Sequence, residues 1–317
     1  MNHAPGASTE RAIEGSRGAA TSQFLGSFAI QGMLWMALSS LLFAAMNVLV
    51  RLASARVPWS EVAAVRTGVG AAVAIGFAVS RGASLTIHDR RLSWARSIFG
   101  TLALLCGFYA MGAPTIALGD AVTLGATSPI FVALLSPWLL GERSGGRVWA
   151  ATAIAFVGLC LVAGPSFHLA GHVAVIATAG GFFAGMAMIW LRKLSAGSGA
   201  AKESPEAIVA HFSLVAAAVT LALALPTLRV PDLATALLLV ATGLFGGLAQ
   251  LAMTRAYALE KAARLGALGY LGIVFAHLFA AVALGERPRA VEAIGAALII
   301  AAGLALALGA LREARAR

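Results

Sequence analysis

A few polar and charged side chains stand where the surrounding sequence is apolar, and these are the groups able to do chemistry. Arg66 follows Val62-Ala63-Ala64-Val65 and precedes a run of Gly, Ala, Val and Ile. An arginine inside a bilayer costs from about 2.5 to above 10 kcal/mol, so it must meet water, an anion or a partner. It is either a bidentate anchor for a solute carboxylate or phosphate, or the structural partner of Asp120 or of helix-end carbonyls. Asn47, Gln250 and Tyr270 obey the same logic, because an unpaired polar group in apolar surroundings needs a partner, water or cargo. Trp35, Tyr109 and Trp190 offer flat faces for an aromatic solute, or serve as ordinary interfacial and packing residues. His211 changes charge near neutral pH and so suits proton coupling, or it stays neutral and hydrogen-bonds between helices, as does His277. Asp120 is the acid placed best for coupling. In Thr127-Ser128-Pro129 the proline lacks an amide hydrogen and frees a carbonyl about four residues earlier. That marks either a hinge or a packed kink satisfied by the two hydroxyls.

The elements that must position these groups are membrane helices. The chain is 60% hydrophobic and 11% charged, against about 45–50% and about 25% in soluble domains. Ten apolar stretches of membrane-spanning length cover approximately 30–52, 60–80, 94–113, 117–140, 147–164, 171–191, 206–226, 234–257, 262–284 and 289–310. The fold predicted is all-α, a ten-helix polytopic membrane protein. The net charge of +10 does not indicate nucleic acid, because the basic residues sit in short loops rather than on a soluble face. With the first helix starting inside, the cytoplasmic loops and tails hold sixteen Lys and Arg and the other side five. That bias predicts both termini in the cytoplasm. Residues 1–28 read as a disordered tail without a cleavable signal, and 311–317 as a short cytoplasmic tail. Cys106 and Cys160 fall within spans and read as packing residues.

An internal repeat organises the chain. Gly141-Glu142-Arg143 closes span four and Gly285-Glu286-Arg287 closes span nine, 144 residues later. Glu61 and Glu206 open spans two and seven at an offset of 145, and Phe43-Ala44-Ala45-Met46 matches Phe183-Ala184-Gly185-Met186. The repeats are 29–165 and 170–310. Each has five spans, an odd number, so the second copy enters the membrane inverted. Two inverted halves can exchange conformations around a midplane site, which is alternating access.

The segments ALGDAVTLGATSPIFVALLSPWLLGER (117–143), GGLAQLAMTRAYALEKAARLGALGYLGIVFAHLFAAVALGERP (246–288) and FAAMNVLVRLA (43–53) resemble EamA-type transporters of the drug/metabolite transporter superfamily. The resemblance covers roughly 30–310. It implies a basket-like carrier for small organic solutes in a bacterial plasma membrane, similar to the branch of S-adenosylmethionine uptake carriers and metabolite exporters. A shared fold leaves cargo and direction open.

Enzyme signatures are missing: there is no HExxH, CxxC pair or P-loop lysine motif, and no cofactor or metal is expected. Glu142 and Glu286, each after a glycine at a helix end, read as markers of the membrane boundary. GxxxG occurs only as often as this composition gives by chance, so a homodimer stays open. The reading is a permease whose cargo meets Arg66, Asn47, Gln250, Tyr270, Tyr109 and Trp35, with Asp120, His211 and Pro129 as coupling or gating residues; the alternative is an accessory or scaffold membrane protein that keeps the carrier fold and has no flux of its own. Its expected partners are a small organic solute and membrane lipids.

Overall fold

The computed structural model describes residues 6–112, 115, 123–164, 171–196, 203–228, 230–284 and 289–315. The elements are α1 (Gly6–Ser54), α2 (Trp59–Arg81), α3 (Arg90–Gly112), α4 (Ser128–Leu139), α5 (Gly146–Ala163), α6 (His172–Ser195), α7 (Pro205–Ala224), α8 (Leu233–Leu259), α9 (Ala262–Leu268), α10 (Leu271–Leu284) and α11 (Ala290–Arg315). Among the described residues eight helices are long and apolar enough to cross a membrane, and two shorter apolar ones lie at Thr123–Leu139 and Ala262–Ala276. Together they make the ten predicted spans.

Three boundaries differ from the sequence reading. The backbone of α1 is helical from Gly6, inside the segment expected to be a disordered tail. Its Ala, Glu and Arg residues favour helix, and extending an existing helix carries no nucleation cost. Span four turns at Ala126–Thr127, just before Pro129, as the missing amide requires. Span nine is also broken, at Gly269–Tyr270, a break the hydropathy pattern did not signal. The two breaks fall at matching positions of the two halves.

The halves pack by exchanging partners. α1 packs against α8 and α6 against α3; α2 packs against α8 and α7 against α3; α2 meets α7, α5 meets α11 and α4 meets α9. Every one of these contacts joins one half to the other. Where α5 crosses α11 the backbones almost touch, since a Cβ on Gly158 would lie 2.6 Å from the Gly295 carbonyl oxygen. Membrane helices gain from such close approach because lipid supplies no hydrophobic drive between them.

The pseudo-symmetry fails in one respect. α8 packs against α6 and α7, whereas its counterpart α3 makes at most marginal contact with α1 and α2 among the described residues. α3, α5, α7 and α9 begin at the end where α4, α6, α8 and α11 finish, and there the largest apolar cluster joins Met33, Val132, Ile189, Met253, Tyr257 and Leu265. At the opposite end the clusters are small, for example Ala53, Val57, Val62 and Leu239.

Candidate functional site

The end with the large cluster is also bound by charge. Arg192, in the last turn of α6, donates from Nε to Glu142 Oε1 at 2.7 Å and from Nη1 to the Tyr257 carbonyl at 2.8 Å. The other oxygen of Glu142 accepts the Ala262 N–H at 3.0 Å, which caps the start of α9 where a carboxylate meets the helix dipole. Arg255 pairs with Glu206 at 3.0 Å and lies 5.1 Å from the Trp35 ring centre. Arg264 pairs with Glu260 and Glu313. Glu142 is therefore a clasp between the ends of α4, α6, α8 and α9, and more than a membrane-boundary marker. Arg255 is thus held by an ion pair and an aromatic face. A cavity of about 300 Å³ opens on the rim of this ionic end, beside Arg143, Arg147 and Lys261.

Away from that end the inward surface opens. Asn47, Arg51 and Ser54 lie on the stripe of α1 that carries the buried Met36, Ser40 and Ala44, yet they are exposed. On α3, Gly107 continues the stripe of Ser93, Arg96 and Gly100, and a Cβ built on it meets nothing within 4 Å. Helical spacing puts these residues toward neighbouring helices rather than toward lipid. They are the exposed continuation of stripes that are buried nearer the ionic end.

Arg66, on α2, is half-buried. Its Nε lies 3.0 Å from Met46 Sδ, one residue before Asn47, and among the described residues no carboxylate lies within 4.0 Å of it. Gly246 of α8 makes room for it, because a Cβ there would come within 3.3 Å of Arg66 Nε. Four residues further along α8, about 6 Å of rise, Gln250 accepts a hydrogen bond at 3.3 Å from Arg96 Nη2. Arg96, one of the sixteen basic residues counted with the cytoplasmic side, lies inside α3 and is 2% exposed. Its guanidinium carbon is 4.2 Å from the Phe212 ring centre. Two arginines from two helices thus meet one stripe of α8.

The remaining predicted residues are distributed as follows. Tyr270, 2% exposed, donates its hydroxyl to the Ala126 carbonyl at 2.9 Å, so the tyrosine at one helix break satisfies the carbonyl freed at the other. Pro129 packs in van der Waals contact with the Gly266 position of α9. His211 shares a 2.8 Å hydrogen bond with Ser97 Oγ and meets the Trp94 ring edge-on at 5.1 Å. Trp35 is occupied by Arg255. Tyr109 is exposed at the opposite end, 3.4 Å from His172 Nε2. Lys193 lies 5.5 Å from the Trp190 ring centre. Asp120, Glu286 and the side chain of His277 fall outside the described residues.

Against this geometry, the model of the EamA-like transporter family matches residues 30–164 and 172–308, one copy on each half. The chain belongs to the EamA-like transporter family. Among its relatives, the EamA-like chain is 32% identical over 277 residues to the pseudopaline exporter CntI of Pseudomonas aeruginosa, covering 87% of this chain and 95% of that one. It is 29% identical over 241 residues to the riboflavin transporter of Vibrio cholerae, covering 74% and 78%. It is 27% identical over 289 residues to the riboflavin transporter of Rhizobium johnstonii, covering 90% and 94%. A solved crystal structure shares the EamA-like fold with a TM-score of 0.75 at 22% identity, over 89% of this chain and 98% of its own. The protein is thus an integral membrane protein of a transporter family, as its residues 117–143 and 246–288 led one to expect.

Proposed function

We propose that this EamA-like protein is a secondary transporter moving a small polar organic metabolite across the inner membrane by alternating access, with both termini and the ionic end in the cytoplasm. The observation that carries the reading is the failed symmetry. Two similar halves pair crosswise, yet one end is clasped by ion pairs and the other is joined by only slight polar contacts among the described residues, as a carrier closed on one side requires. Arg66, half-buried, has no carboxylate partner among the described residues and is the group we assign to the cargo's negative charge, by bidentate hydrogen bonding. Asn47, one residue beyond the Met46 that Arg66 touches, lines the route. The names of the relatives, an exporter and riboflavin transporters, support cargo of metabolite size. The sixteen-to-five bias of basic residues supports the orientation.

The test is uptake into sealed vesicles carrying the purified protein, with a panel including riboflavin, pseudopaline, S-adenosylmethionine and amino acids. At least one compound should accumulate saturably, and Arg66→Ala should lower its rate at least about tenfold, the loss of about 1.4 kcal/mol of binding. Folded protein that moves no member of the panel would count against a carrier.

A further inference from the structure

We propose that Arg96 together with Gln250 forms a second anion subsite, on the ionic side of Arg66, that takes a carboxylate group of the cargo. The inference rests on the carrier reading for its biological meaning, and on the following geometry for its chemistry.

At the ionic end the other buried cations have acids: Arg192 has Glu142, Arg255 has Glu206, Arg264 has Glu260 and Glu313. Arg96 is as buried as any of them, yet no carboxylate lies within 4.0 Å of it among the described residues. A guanidinium carries five N–H donors in a planar fork. In Arg96 one donor, on Nη2, reaches Gln250 Oε1, while Nε and Nη1, which hold three more, are enclosed with no acceptor among the described residues. The Phe212 face offers the cation some attraction but accepts none of those hydrogen bonds in the ordinary sense. A buried cation with unmet donors is costly to keep, and it is the state in which an incoming carboxylate gains most. Gln250 adds an amide that holds the fork in place. It also has an N–H₂ of its own to donate to the same carboxylate.

The groups around Arg96 do not supply the anion. α7 contributes Phe212 and, nearby, His211, which is engaged with Ser97. α8 contributes Gln250 and the phenol of Tyr257. Arg66 of α2 meets α8 at Gly246, one helical turn back from Gln250, and Arg96 meets it at Gln250, nearer the clasp. A cargo carboxylate that first meets Arg66 therefore finds a second fork about 6 Å further along, reached when the ionic end loosens.

The test is thermal unfolding of the purified full chain in chloride-free detergent, titrated with succinate and, as the uncharged control, succinamide. Ligand bound to the native state raises the midpoint by mass action. We expect succinate, and not succinamide, to raise it by about 3 °C at roughly ten times its Kd. Arg66→Gln should keep a response, and Arg96→Gln should abolish the Arg96-dependent part, leaving the double variant silent. Because Arg96→Gln removes an unpaired buried charge, its unliganded midpoint should stay level or rise. Gln250→Glu gives a second route: it places a carboxylate against Arg96 from within, and should raise the unliganded midpoint while removing the same part of the response. Equal succinate responses in wild type and Arg96→Gln would overturn the subsite, and so would a wild type that does not distinguish succinate from succinamide. Flux in vesicles without this Arg96-dependent response would leave the carrier standing and remove the subsite. The response without flux would do the reverse.

Discussion

The two ends of the bundle are built from similar sequence and behave differently. At the ionic end Glu142 joins α4 to α6 and α9, Arg192 reaches across to α8, and an apolar cluster from α1, α4, α6, α8 and α9 packs beneath them. At the opposite end the described polar contacts are slight. Arg56 reaches Thr235 at 3.4 Å, Tyr109 reaches His172 at 3.4 Å, and Arg289 pairs with Glu292 within one helix. Inverted repeats thus need not make equal gates at every moment. On the carrier reading, the difference between the ends is one state of the transport cycle.

If the clasp holds the ionic end, breaking it should have the largest effect. Arg192→Ala leaves the poorly exposed Glu142 without its cation and should cost about 3 kcal/mol, read as a lower midpoint of thermal unfolding. A cysteine placed at Ser195 should then react faster with a water-soluble thiol reagent. Reversing the pair, with Arg192→Glu and Glu142→Arg together, should recover part of the stability, and no recovery would argue that Glu142 acts chiefly on α9. Tyr270→Phe comes next. It orphans the Ala126 carbonyl and should cost about 1–2 kcal/mol, with a steeper loss if the two breaks move as one. At the opposite end, Tyr109→Phe should change stability by less than about 0.5 kcal/mol, since its hydrogen bond is long and exposed. A larger cost would mean that this end is fastened too. The smallest effect expected is at Asp232, whose carboxyl is held below the usual range by the Thr235 N–H it accepts from at the start of α8, and further by the Thr235 hydroxyl and Arg56. The cap is fully present above the ordinary carboxylate range and weakens as pH falls through the lowered value. Asp232→Asn should flatten that part of the acid-unfolding profile and leave neutral pH nearly unchanged.

The helices and their duplication are legible in the sequence because both are periodic properties of the chain: apolar length sets the spans, and the Gly-Glu-Arg tripeptides set the register. The break near Pro129 is legible because proline acts on its own backbone. The break at Gly269–Tyr270 contains no proline and becomes visible only through the matching position in the other half. Arg96 was missed for a related reason. It stands at the edge of the span 94–113, close to Arg90 and Arg91, so it counts with the loop charges, and its burial depends on Phe212 and Gln250, more than a hundred residues away. Gln250 was found because a polar group in an apolar run is conspicuous without knowledge of its partner. Glu142 was conspicuous as well, but its role depends on where Arg192 and Ala262 arrive in space.

The hydrogen bond from Tyr270 to the Ala126 carbonyl has a consequence for the history of the chain. The two residues are 144 apart, the same interval that separates the repeated tripeptides, so the bond joins a position to its own image. In a dimer of identical five-helix halves, one residue type would have to occupy both sites. Two alanines would leave both carbonyls at the breaks without the tyrosine donor. A single fused chain escapes that constraint, and can put a donor on one side of its axis and leave the other side small.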